Sequence, residues 1–111
     1  MEKYGKGKEY YEDRKLRFEG EYLNGKKWKG KGKEYYGNNK LEFDGEYLNG
    51  ERNGKCKEYY NDDGKLTFEG EYLNGERNGK GKEYDDNGNL IFEGEYINGE
   101  RIGNDNHYED K

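Results

Sequence analysis

The chain has 111 residues, 42% of them charged and 27% hydrophobic, with a net charge of −5 and a mean hydropathy of −1.76. This composition argues against a thick two-layer core, a membrane-spanning helix, which needs about 20 mostly apolar residues, and a general affinity for nucleic acid or anionic lipid, which needs an excess of Lys and Arg. It would suit a disordered chain, except that 13 Tyr and 4 Phe recur at a fixed phase, as a packed array requires.

The octapeptide Phe-Glu-Gly-Glu-Tyr-Leu-Asn-Gly begins at Phe18 and again at Phe68, with one-residue variants at Phe43 and Phe92. The spacings are 25, 25 and 24 residues. A constant period of this size marks an array of small supersecondary units. The whole chain, 1–111, reads as one array: a half unit at 1–14, then units at 15–39, 40–64, 65–88 and 89–111.

In chain order, a first strand carries Gly5-Lys6-Gly7 and ends at the loop Glu12-Asp13-Arg14. The next strand holds Leu16, Phe18 and Tyr22 and closes at Asn24-Gly25, a dipeptide suited to a tight hairpin because both central positions need positive φ. The same turn recurs at Asn49-Gly50, Asn74-Gly75 and Asn98-Gly99, and looser loops separate the units at 37–39, 61–64 and 85–88. Between turns the residues alternate, with Leu66, Phe68, Gly70 and Tyr72 on one face and Thr67, Glu69 and Glu71 on the other, a period of two that selects strand over helix. The expected fold is all-β: an elongated single-layer antiparallel meander of about nine strands, built of hairpin repeats.

Carrying the pairing outward from Leu48 and Glu51 around Asn49-Gly50 sets Gly45 against Gly54, Phe43 against Cys56 and Asp44 against Lys55. The next unit likewise sets Gly70 against Gly79, Phe68 against Gly81 and Glu69 against Lys80. Each Phe then lies over a small residue on one face, and acidic strands alternate with basic ones on the other. Gly25 to Gly30 is one residue longer than Gly50 to Gly54, so a β-bulge is expected near Trp28 to keep later side chains on their faces.

Phe43-Asp-Gly45-Glu-Tyr47-Leu-Asn-Gly50-Glu-Arg-Asn-Gly54-Lys-Cys56, and the unit from Phe68 through Gly79-Lys-Gly81, resemble the MORN repeat, whose pattern is aromatic-x-Gly, a turn Gly, then Gly-x-Gly. The resemblance runs from Gly5 to Gly103. Tyr59-Tyr60 and Gly64-Lys65-Leu66 are also similar to a bacterial antitoxin-like variant of that repeat. Membership implies a single-layer sheet of hairpins that binds other proteins or dimerises, and links to membranes in some members. The chain departs from the pattern at Cys56, which replaces a Gly, and at Asp105, where Asn104, Asp105, Asn106 and Asp110 read as a polar end cap.

No catalytic residue is expected. The chain has no Ser, and its single Cys56 and single His107 lie in different units, so a nucleophile-base pair, a disulfide and a metal site all lack their residues. No cofactor is expected. Gly30-Lys-Gly32 lies in a strand and opens no helix, so it is a packing feature and not a phosphate loop.

The candidate partner-binding residues are the aromatic column Phe18, Tyr22, Trp28, Phe43, Tyr47, Phe68, Tyr72, Phe92 and Tyr96, part of whose surface a single layer should leave exposed. Beside it Glu34, Glu58 and Glu83, set opposite Leu41, Leu66 and Leu90, form a carboxylate column suited to a basic partner. The same residues also read as mutual packing and a solubilising rim. The expected function is a cytoplasmic, non-enzymatic scaffold that binds a protein or peptide, such as an amphipathic helix, and is able to homodimerise. A second reading is a membrane-surface adaptor for anionic headgroups, a third an idealised repeat protein with no natural partner.

Overall fold

The computed structural model describes residues 3–24 and 26–102, with residues 4 and 26–29 described in backbone only. Asn24, Asn49, Asn74 and Asn98 each take a φ between 51° and 53°, and Gly50, Gly75 and Gly99 follow at 84–88°, the two left-handed residues that let a tight turn match the twist of its strands. These turns and the looser loops between units delimit nine strands: β1 Tyr4–Tyr10, β2 Leu16–Leu23, β3 Lys26–Tyr35, β4 Leu41–Leu48, β5 Glu51–Tyr59, β6 Leu66–Leu73, β7 Glu76–Tyr84, β8 Leu90–Ile97 and β9 Glu100–Ile102. All pair antiparallel with their sequence neighbours in one open sheet. The molecule measures 56 × 29 × 16 Å, consistent with a single layer of strands and side chains. The single-layer meander expected from the repeat is the fold, and among the described residues no helix is long and apolar enough to cross a membrane.

The register departs from its expected course two residues beyond the turns at 49–50 and 74–75. Leu48 faces Glu51 and Tyr47 faces Arg52, but then Gly45 faces Cys56, Asp44 faces Lys57 and Phe43 faces Glu58. Gly70, Glu69 and Phe68 likewise face Gly81, Lys82 and Glu83 instead of Gly79, Lys80 and Gly81. The cause is a bulge in which Glu46 alone stands against Asn53, Gly54 and Lys55. Gly54 and Gly79 hold φ at 105° and 93° there, conformations that side chains rarely adopt. In the equivalent bulge of the next unit the Glu71 carboxylate folds over Gly79 and accepts the Lys80 amide at 3.3 Å. Because two residues are added and not one, Phe43, Gly45, Phe68 and Gly70 keep their expected face while changing partners.

The longer hairpin of the first unit absorbs its extra residue as expected. Tyr22 faces Lys27 and Gly20 faces Gly32, with the irregularity between them spanning Trp28 to Lys31. The Trp28 side chain, and the end cap expected at 104–110, lie outside the described residues.

A second bulge separates each unit from the next. Tyr35 faces Leu41 and Glu34 faces Phe43, so Glu34, Glu58 and Glu83 pair with Phe43, Phe68 and Phe92 and not with Leu41, Leu66 and Leu90. On their other side the same glutamates face Phe18, Phe43 and Phe68. The extra residue at 42, 67 and 91 causes the shift and, because a single residue reverses the alternation, it sets Leu41, Leu66 and Leu90 beside Tyr35, Tyr59 and Tyr84 on the face opposite Phe43, Phe68 and Phe92, not on the same face as expected. Each Glu is therefore held between two Phe in a continuous row. One step along, Gly7, Gly20, Gly32, Gly45, Cys56, Gly70, Gly81 and Gly94 form an unbroken line of small residues across eight strands.

Candidate functional site

On one face the aromatic residues form a single herringbone. Tyr22, Phe18, Tyr47, Phe43, Tyr72, Phe68, Tyr96 and Phe92 touch in that order, with ring centroids 5.2–6.3 Å apart and planes 76–87° to one another. This edge-to-face geometry sets the positive edge of one ring against the negative face of the next. Phe18, Phe43 and Phe68 each contact the Tyr of their own unit and the Tyr of the following one, so the herringbone ties unit to unit. The line of glycines makes room for it: a Cβ on Gly32 would stand 2.8 Å from both Phe18 and Tyr47.

Three arginines close this face. The guanidinium of Arg52 lies 4.0 Å from the Phe43 centroid, Arg77 lies 4.0 Å from Phe68 and Arg101 4.5 Å from Phe92, a cation–π placement. Each also grips the glutamate two strands back. Arg52 Nε and Nη2 donate to Glu34 at 2.9 and 3.1 Å, Arg77 to Glu58 at 3.3 and 3.3 Å, and Arg101 to Glu83 at 3.0 and 3.0 Å. The two-pronged fork suits this geometry, which a Lys cannot copy. The tyrosine on the strand between completes each set: Tyr47 donates to Glu34, Tyr72 to Glu58 at 2.6 Å and Tyr96 to Glu83. The first unit varies the theme, with Tyr22 and Arg17 donating to Glu9 at 2.9 and 3.1 Å.

The protonation states follow from this packing. Burial, reinforced by the bond to Glu58, pushes the Tyr72 hydroxyl up to about 12, and Tyr47 and Tyr96 rise for the same reasons. Burial pulls Glu83 upward, but the bonds from Arg101 and Tyr96 outweigh it and hold the carboxyl below its ordinary value. Burial pushes the Cys56 thiol up to about 12, so it stays protonated, in keeping with a small residue packed into the herringbone and not a reactive thiol.

Two consequences are measurable. A tyrosine whose folded pKa is raised stabilises the fold fully below its unfolded value and loses that contribution as pH rises through the folded value. The melting temperature is therefore expected to fall between pH 10 and 12, and Tyr72→Phe to fall less steeply there than the unaltered chain. Arg77→Ala should cost about 2–3 kcal/mol, because it uncovers Phe68 and leaves Glu58 without its fork. Arg77→Lys should recover only part of this, since an ammonium binds one carboxylate oxygen at a time; equal melting temperatures for the Lys and unaltered proteins would refute the fork.

Of the residues expected to contact a partner, Phe18, Phe43, Tyr47, Phe68, Tyr72, Phe92 and Tyr96 are buried, with Phe43 and Phe68 at 0% exposure, and Tyr22 packs partly buried against them. The expected open aromatic surface is therefore absent among them. Glu34, Glu58 and Glu83 are bound by Arg and Tyr and form no free carboxylate column. The capping residues Arg52, Arg77 and Arg101 were not foreseen. Their signal was the recurring Asn-Gly-Glu-Arg at 49–52, 74–77 and 98–101, since the pairing beside each turn sets the Arg on the aromatic face.

The opposite face is open. A groove of about 1060 Å³ runs across β3 to β9, with the glycine line as floor and Lys and Glu columns on either side. Asp44, Lys57, Glu69, Lys82 and Glu93 are successive cross-strand neighbours, so the sign changes at every strand. These pairs are loose: Lys82 and Glu93 stand 3.9 Å apart with nearly half of each side chain exposed. Beyond the charged columns Leu73 and Ile97, each 50% exposed, edge the face on one side. On the other, Tyr35 and Tyr84 donate to Glu19 and Glu69 at 3.2 Å.

Comparison with known proteins agrees with this geometry. The model of the MORN repeat family matches residues 43–65 and 68–90, units in which the Phe-Glu pairing, the Asn-Gly turn and the Arg cap are all present. No curated protein matches the chain. Residues 43–65 and 68–90 of this chain are MORN repeats.

Proposed function

We propose that this chain is a non-enzymatic, cytoplasmic module that binds another protein on the groove face of its sheet. The observation that carries the reading is the division of labour between the faces. The aromatic face spends its rings, carboxylates and guanidinium groups on one another, whereas the groove face presents exposed Lys and Glu columns edged by Leu73 and Ile97. Charged groups flanked by exposed apolar ones are what protein interfaces are made from. Anionic lipid is less well served, because each basic strand is flanked by acidic ones that cancel the attraction of about 1 kcal/mol per Lys near a charged membrane.

The test is capture of proteins from the source cell on the unaltered chain and on Lys57→Gln/Lys82→Gln, beside sedimentation with phosphatidylserine vesicles. A protein retained by the first and lost by the second supports the reading. Sedimentation with vesicles that depends on the same lysines would replace it with a membrane-adaptor function.

A further inference from the structure

We propose that the groove binds an α-helix in which basic and acidic turns alternate. The inference rests on the protein-binding reading above and names its ligand. Its basis is a match of two periods. Each strand shows a single sign on both sides of the glycine floor, as with Lys55 and Lys57 on β5 and Glu69 and Glu71 on β6, and the sign reverses at the next strand. Strands lie about 4.8 Å apart, and one turn of an α-helix rises about 5.4 Å. A helix lying across the strands therefore meets one strand per turn, and its favourable partner changes sign at each.

The mismatch is about 0.6 Å per strand, or roughly 2.4 Å over the four steps from β4 to β8, within the reach of flexible Lys and Glu side chains. An extended peptide fits worse. Its same-face residues repeat at about 6.7 Å, so it slips by about 2 Å per strand and meets the wrong sign within two or three strands. A polyanion fails for a different reason, because every second strand repels it. The floor accommodates a helix because its residues have no large side chain facing the groove, and Leu73 and Ile97 offer apolar contact along one flank. Spanning the groove from β3 to β9 takes about 29 Å, or roughly 19 helical residues.

The experiment titrates the full chain into a fluorescent, alanine-based helix of about 20 residues whose Lys and Glu alternate turn by turn. A block helix of identical composition, with Lys in one half and Glu in the other, serves as control. The alternating helix should bind about tenfold more tightly than the block helix, and Lys57→Gln/Lys82→Gln should weaken it by about tenfold, with unchanged melting temperature as the check on folding. Exchanging the two signs along the alternating helix should leave binding unchanged, because the helix slides by one strand. Equal binding of alternating and block helices, or insensitivity to the two lysines, overturns the proposal. If the helix fails while a cellular protein is still captured through Lys57 and Lys82, only the ligand is wrong; if that capture fails too, the protein-binding reading falls with it.

Discussion

Replacing Phe68 by Ala is expected to destabilise the chain by about 4 kcal/mol, the range for removing a buried aromatic side chain and leaving its cavity. Phe68 is fully buried, touches Tyr72 at 6.3 Å and Tyr96 at 5.4 Å between ring centroids, and lies under Arg77. At about 4 °C per kcal/mol for a domain of this size, the melting temperature should drop by about 16 °C. The loss should also be non-local. Tyr72 belongs to the same unit, but Tyr96 belongs to the next, and Phe68 joins them. In an array stabilised by nearest-neighbour interfaces, deleting the joint should broaden the melt as the 89–111 unit separates from the rest. Leu73→Ala is the control: Leu73 lies on the opposite face, half exposed, and should cost less than 1 kcal/mol. Similar melting curves for the two variants would sink the herringbone as the source of stability.

Gly81→Val is expected to cost about 3 kcal/mol by overpacking. A Cβ at Gly81 would stand 2.7 and 2.8 Å from two atoms of the Phe68 ring and 2.9 Å from the Tyr96 ring, both held in place by their neighbours. A branched side chain must therefore displace two rings at once, and with them the edge-to-face contacts on either side. Asn78→Val, three residues away in the β7 bulge, removes only a long side-chain bond to the Asn98 amide, 3.5 Å in length. Its effect should be under 1 kcal/mol. Thermal melts of the two variants decide the matter, and equal midpoints would show that Gly81 does not lie beneath the ring. Cys56 shows the limit of tolerance in the same line, since the chain places a thiol there without disrupting Phe43 or Tyr72.

The division of the sheet into two faces was legible in the residues alone. Asn-Gly marks each hairpin through its demand for positive φ, and strict alternation from Phe68 to Tyr72 assigns each side chain to a face, because both signals act over two to four residues. The pairing of Phe43 was not legible. It depends on Gly54 adopting a φ of 105° in a bulge that gains two residues, and on how a neighbouring strand closes over that bulge. The fate of the aromatic face was hidden for the same kind of reason. Phe43 is covered by Arg52 from the next strand and by Tyr72 from the next unit, and Arg52 reaches back two strands to Glu34. Each of these contacts joins residues 9 to 29 positions apart, so the order of residues supplied the rings and the charges, while the stacking of units decided which face is sealed and which stays open.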